Sequence, residues 1–97
     1  MTLGVRMGEG FQNNTVSVRV DGKEVYRKSG VSTDWTISRA DAFQMQVEAQ
    51  NVELAVQVDD GAHVVRVIDP ARTPFVEVRY VNGELQLHPM GEEPPML

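Results

Sequence analysis

Val78-Arg79-Tyr80-Val81-Asn82-Gly83-Glu84-Leu85-Gln86-Leu87 is the stretch that decides the fold. Apolar residues alternate with polar ones on both sides of an Asn-Gly pair. That is the strongest short-range hairpin signal, because a type I′ turn needs φ > 0 at both central positions. A loop at Asn82-Gly83 sets Tyr80 against Leu85 and Val78 against Leu87 on one face. The other face then pairs Arg79 with Gln86 and Glu77 with His88. The hairpin sorts into one apolar and one polar side, which is what a half-buried register demands.

Working outward, the same logic applies at Asp21-Gly22 and Asp60-Gly61. The first turn predicts Val18 opposite Val25, with Arg19 and Glu24 as a complementary exposed pair. The second predicts Val56 opposite Val65 and Leu54 opposite Val67. A further loop at Gln50-Asn51 pairs Val47 with Leu54, Met45 with Val56 and Phe43 with Val58. Strands at about 43–49, 51–59 and 62–69 then form a continuous meander. A helix starting at Ser38 competes for 38–58, but helical spacing from Phe43 gathers three amides onto its stripe. Period-two alternation through Phe43, Met45, Val47 and again Val52, Leu54, Val56 favours strand.

Leu3, Val5 and Met7 alternate as a short first strand. Seven to eight short strands with regular hairpin turns predict an all-β, antiparallel β-sandwich, immunoglobulin-like or jelly-roll-like. Ser29 to Ala42 and Asp69 to Pro74 are too long for hairpins and are the expected crossings between sheets. Residues 1–90 form the single domain, and 91–97, with neighbouring prolines, form a flexible C-terminal tail.

With 97 residues the chain has room for one core. There is no cysteine, so a disulfide framework, a thiol nucleophile and a cysteine-ligated zinc site are excluded. The net charge of −5 and scattered basic residues argue against nucleic acid and anionic membrane as partners. The first residues lack the apolar core of a signal peptide, and no apolar run approaches the ~20 residues that span a bilayer. The expectation is a soluble cytoplasmic protein.

The outward row of the expected meander carries Ala55, Val64 and Ile68, apolar residues on a face assigned to solvent, with Arg66 paired to Ala55. On that row Glu48 and Glu53 fall opposite each other, an unfavourable pairing unless offset. Ala55, Val64, Arg66 and Ile68 therefore predict a docking face for a protein partner or for self-association, a homodimer included.

A second candidate lies in the long loop 31–41, which holds Asp34 and the sole tryptophan, Trp35. It supports the alternative of a carbohydrate- or calcium-binding module, with Asp34, Asp41, Asp59, Asp60 and Asp69 at loop ends. Gly61-Ala62-His63-Val64-Val65-Arg66-Val67 resembles a hairpin of some calcium-dependent carbohydrate-binding modules. Calcium, however, needs six to eight converging oxygens, and aspartates at turns also serve as backbone caps. His63 and His88 fall on different hairpins with no metal-ligand spacing. Gly8-Glu9-Gly10 is too short for a phosphate cradle, and no nucleophile elbow is present. The sequence thus predicts a non-catalytic interaction module, with no catalytic residue, metal site or cofactor.

Overall fold

The computed structural model describes residues 1–34, 36, 40–48, 50–59 and 61–91. Its strands are β1 (Thr2–Met7), β2 (Asn14–Val20), β3 (Lys23–Val31), β4 (Asp41–Gln46), β5 (Val52–Val58), β6 (His63–Ile68), β7 (Phe75–Val81) and β8 (Glu84–Met90). They form two four-stranded sheets, ordered β4-β1-β7-β8 and β3-β2-β5-β6. Every pairing is antiparallel except β1 with β7. The expected all-β sandwich is what the chain forms. Among the described residues no helix is long and apolar enough to cross a membrane. The prolines of the tail, and everything after Gly91, lie outside the described residues.

Alternation builds the core. Leu3, Val5 and Met7 of β1 share one buried core cluster with Val16 and Val18 of β2 and Leu54 and Val56 of β5. Removing such β-branched and leucine side chains from water is the main favourable term, about 1.5–3 kcal/mol each.

Two hairpins turn as expected. Asp21 and Gly22 have φ of 52° and 84°, and Asn82 and Gly83 have 53° and 76°, the left-handed pairs a type I′ turn requires. All four expected β7–β8 pairs are present, with Val78 opposite Leu87 and Glu77 opposite His88. Arg19 sits opposite Glu24, but Val18 faces Tyr26 rather than Val25, because a register shift follows Val18. Val25 is the extra residue of a bulge at this edge.

The third hairpin is displaced by one residue. Val56 pairs with Val64 and Leu54 with Arg66, not with Val65 and Val67. The cause is Asp59, which adopts φ of 53° and is held by β2. Its N–H donates to the Thr15 carbonyl at 2.7 Å, while its carboxylate accepts from Thr15 N–H and Asn14 Nδ2, each at 2.9 Å. Pinned to β2, Asp59 leaves the β5–β6 ladder, whose last bond is Val58 N–H donating to the Ala62 carbonyl at 2.9 Å. A slip of one residue exchanges the two faces of β6.

The expected meander is also corrected at its first turn. β4 pairs with β1, from Thr2 opposite Gln46 to Met7 opposite Asp41, and lies in the other sheet from β5. The chain therefore passes from one sheet to the other between β4 and β5, and the Glu48–Glu53 opposition does not arise. Both expected crossings, β3 to β4 and β6 to β7, are present. The open edges of the sandwich are tied across the layers. On one side Tyr26 stacks on Phe43 with centroids 4.7 Å apart and its hydroxyl donates to Asp41 Oδ2 at 2.6 Å. On the other, Arg66 Nη1 donates to the Leu87 carbonyl at 3.5 Å.

The β1–β2 connection is fastened rather than loose. Gly8 N–H donates to the Val78 carbonyl and Tyr80 N–H to the Glu9 carbonyl, extending the β1–β7 pairing. Thr33, buried, accepts from Phe11 N–H at 3.0 Å and donates to the Gly8 carbonyl at 2.8 Å through one hydroxyl. Glu77, expected on an exposed face, is only 7% exposed. It lies over Gly8 and bonds Arg79 Nη2 at 2.7 Å, with Arg6 Nε at 3.9 Å.

Candidate functional site

Hydrogen-bond parity identifies which backbone groups face outward at each sheet edge. In an antiparallel ladder, alternate residues turn both N–H and C=O toward one neighbour. Glu53 and Asp59 of the β5 segment bond to β2, and Val58 bonds to Ala62. Odd residues of β5 thus face β2, even ones face β6, and Val64 and Arg66 of β6 face back toward β5. His63, Val65 and Val67 are left with N–H and C=O directed off the sheet, where among the described residues no strand pairs.

The slipped register puts the same three side chains on the outer face. Val65 is 46% exposed and Val67 64%, while Val65 sits opposite Ala55 and Val67 opposite Glu53. Unpaired backbone and exposed valines therefore coincide on one strip. Beside it runs a shallow groove of about 90 Å³, lined by Ser17, Arg19, Ala55, Gln57 and His63.

The other three edge strands are blunted in ways proteins use against edge pairing. β8 carries Pro89, whose missing N–H would point off the edge, and its Leu87 carbonyl accepts from Arg66. β3 is bulged and carries Lys23, Arg27 and Lys28. In β4 the Ala42 N–H donates to its neighbour Asp41 Oδ1 at 2.9 Å, and Gln44 and Gln46 follow. β6 has no proline, glycine or lysine; its one defence is the exposed Arg66, an inward-pointing charge on the row facing the other sheet.

These positions revise the sequence reading residue by residue. Ala55 is on the outer face as expected. Val64 and Ile68 are on the inner row, Ile68 at 1% exposure, so neither belongs to a docking face. Arg66 is opposite Leu54 rather than Ala55 and serves as a tie to β8. Val65 and Val67 take their place. They escape a sequence reading because each row of β6 holds two aliphatic residues, and the bonds of Asp59 that choose between them come from 44 and 45 residues away.

The loop candidates separate. Trp35 and Asp60 lie outside the described residues. Asp34 is exposed and accepts from both the hydroxyl and the N–H of Thr36; these bonds hold its carboxyl below the ordinary aspartate range. Asp59 is lowered likewise, by Thr15 N–H first and then by Asn14. Asp41 is raised by burial, but Tyr26, Ala42 N–H and Lys28 together bring it below the ordinary value. Asp34, Asp41 and Asp59 are each committed to their own hydrogen-bond partners, and among the described residues no three His, Cys, Asp or Glu side chains come together as metal ligands. A cleft of about 400 Å³ opens between the sheets near Asp21, Met45, Glu48 and Val52, where Asp21 Oδ1 accepts from Glu53 N–H.

No known protein family, curated protein or solved structure matches this chain.

Proposed function

We propose that this protein is a non-catalytic interaction module whose docking element is the free edge of β6. It works by strand addition: an extended segment of a protein partner pairs with the outward N–H and C=O groups of His63, Val65 and Val67. Main-chain bonds supply affinity in such complexes, and pockets or apolar contacts for alternate side chains supply selectivity. The observation that carries the reading is that one strip holds both the unprotected backbone and the strand-borne exposed valines, at 46% and 64%. The other edges, with Pro89, the Val25 bulge and the Asp41 cap, lack that combination.

A photo-crosslinking side chain at position 67, compared with one at Gln44 on the β4 edge, tests this in cell extract. A discrete adduct at 67, absent at 44 and abolished by Val65→Pro, is the expected result. Proline at 65 removes an N–H that points away from β5, so the β5–β6 ladder survives and a lost adduct reports on the edge. Equal labelling at both edges, or an adduct indifferent to Val65→Pro, would overturn the reading.

A further inference from the structure

We infer that the groove beside this edge is a carboxylate subsite: the segment added at β6 carries a glutamate, and Arg19, Gln57 and His63 receive it. This rests on the edge reading above and adds the chemistry of the partner to it.

The strand registers assemble the groove. On the outer face His63 lies opposite Gln57, and Gln57 opposite Ser17. In the next row Val65 lies opposite Ala55, and Ala55 opposite Arg19. Ala55 and Ser17 are the short side chains of the set, and the groove of about 90 Å³ is the space they leave beside Arg19, Gln57 and His63. Guanidinium, amide, imidazole and hydroxyl groups all donate hydrogen bonds. No Asp or Glu lines the groove, although the whole chain has a net charge of −5.

The neighbouring carboxylates leave Arg19 unanswered. Glu24 is directly opposite it on β3, yet Glu24 Oε1 stands 3.6 Å from Arg27 Nη1. Among the described residues Arg19 makes no ion pair. Asp59, two residues beyond Gln57, is held by Thr15 N–H and Asn14 Nδ2 at 2.9 Å each. Glu53 stands two residues from Ala55 in the other direction, opposite Val67. The strip thus has its donors toward His63 and a carboxylate toward Val67, which gives a docking segment one favoured place for a negative side chain. An added strand runs about 4.8 Å outside β6, and so about 10 Å from Ala55. A glutamate opposite Val65 or His63 spans part of that gap and Arg19 spans the rest, whereas aspartate is one methylene shorter.

NMR titration with two capped hexapeptides, Thr-Val-Glu-Val-Thr-Val and its glutamine analogue, tests this, with acetate as the free carboxylate. The glutamate peptide should shift the main-chain amides of His63, Val65 and Val67 together with the Arg19 Nε–H signal. It should bind about two- to fivefold tighter than the glutamine peptide, the range of an exposed ion pair. Arg19→Gln should abolish that preference, while Lys23→Gln, the same loss of charge outside the groove, should leave it intact. Equal binding of the two peptides at the edge would overturn the subsite and leave the edge reading standing. A preference lost equally in Lys23→Gln would assign it to overall charge and likewise overturn the subsite. Acetate matching the glutamate peptide, with the β6 amides unmoved by either, would overturn the edge reading and the docked glutamate with it. No response to either peptide would overturn both.

Discussion

Thr33→Val isolates a hydroxyl on which the two long loops depend. The side chain is 8% exposed, accepts from Phe11 N–H at 3.0 Å and donates to the Gly8 carbonyl at 2.8 Å. Valine has nearly the same shape, so no cavity forms and the main-chain bond from Thr33 N–H to Phe11 carbonyl remains. What is lost is a partner for two main-chain groups in a water-poor site. An orphaned buried donor or acceptor costs about 1–3 kcal/mol, and the pair here, near enough to the surface for partial relief, costs about 2–4 kcal/mol. In a domain of this size 1 kcal/mol moves the melting temperature by about 4–8 °C, so a fall of about 10–25 °C is expected. Urea unfolding should show a lower midpoint at unchanged slope, since the surface exposed on unfolding is the same. Thr33→Ser is the control: it keeps the hydroxyl and loses one methyl, worth about 0.8 kcal/mol. If serine destabilises as much as valine, or valine costs under about 1 kcal/mol, the hydroxyl is not the fastener argued for.

Gly10→Ala and Gly22→Ala should differ sharply although both glycines have positive φ, 95° and 84°. A Cβ at Gly10 would stand 1.6 Å from the Tyr80 carbonyl oxygen, whereas nothing lies within 4 Å of one at Gly22. Gly22→Ala should cost only the left-handed penalty, about 1–2 kcal/mol, and Gly10→Ala about 3 kcal/mol or more; equal losses in urea midpoint would sink the packing argument. Asp41 sits below the ordinary aspartate value, held there by Tyr26, Ala42 N–H and Lys28 against the opposing effect of burial. Its ionised form therefore stabilises the fold above about pH 4, and that contribution is lost as pH falls through the lowered folded-state value. Asp41→Asn should be less stable than wild type at neutral pH, with the gap closing below about pH 4; a gap constant from neutral to strongly acidic pH would refute the coupling. Tyr26→Phe, which removes the hydroxyl donor, should narrow the same gap.

What the sequence made legible was whatever depended on neighbours close in the chain. The Asn82-Gly83 hairpin came out in register because a type I′ turn and two alternating flanks fix it without outside help. Asp21-Gly22 gave the turn but not the bulge at Val25, which is set by Tyr26 turning inward to Phe43 of the other sheet. Strands expected at about 43–49 and 51–59 are found at 41–46 and 52–58, yet their partners were not legible, since alternation is the same for a hairpin and for a crossing. Glu77 read as exposed because its row is polar. The signal against that reading was Gly8, which leaves a trough that the glutamate fills. Thr33 had no local signature at all, its two bonds reaching 22 and 25 residues back.

The candidate site turns on the least legible of these choices. His63-Val64-Val65-Arg66-Val67-Ile68 carries two aliphatic residues and one polar or charged one on each row, so burial of one face does not by itself select the register. Val64 and Ile68 can face the core as readily as Val65 and Val67. The decision falls to Asp59, whose main-chain and side-chain bonds to Thr15 and Asn14 start the loop one residue early. Apolar residues on both rows are typical of strands in sheets packed on both faces, a covering that pairing at an edge does not supply. Here such a strand stands at an edge, with Ile68 at 1% exposure on the inner row and Val67 at 64% on the outer. An edge strand kept soluble in isolation would carry a lysine, a proline or a bulge, as β3 and β8 do. β6 carries no lysine, proline or bulge, and its Arg66 lies on the inner row, so what sets this edge apart is the pair of valines that the Asp59 register turns outward.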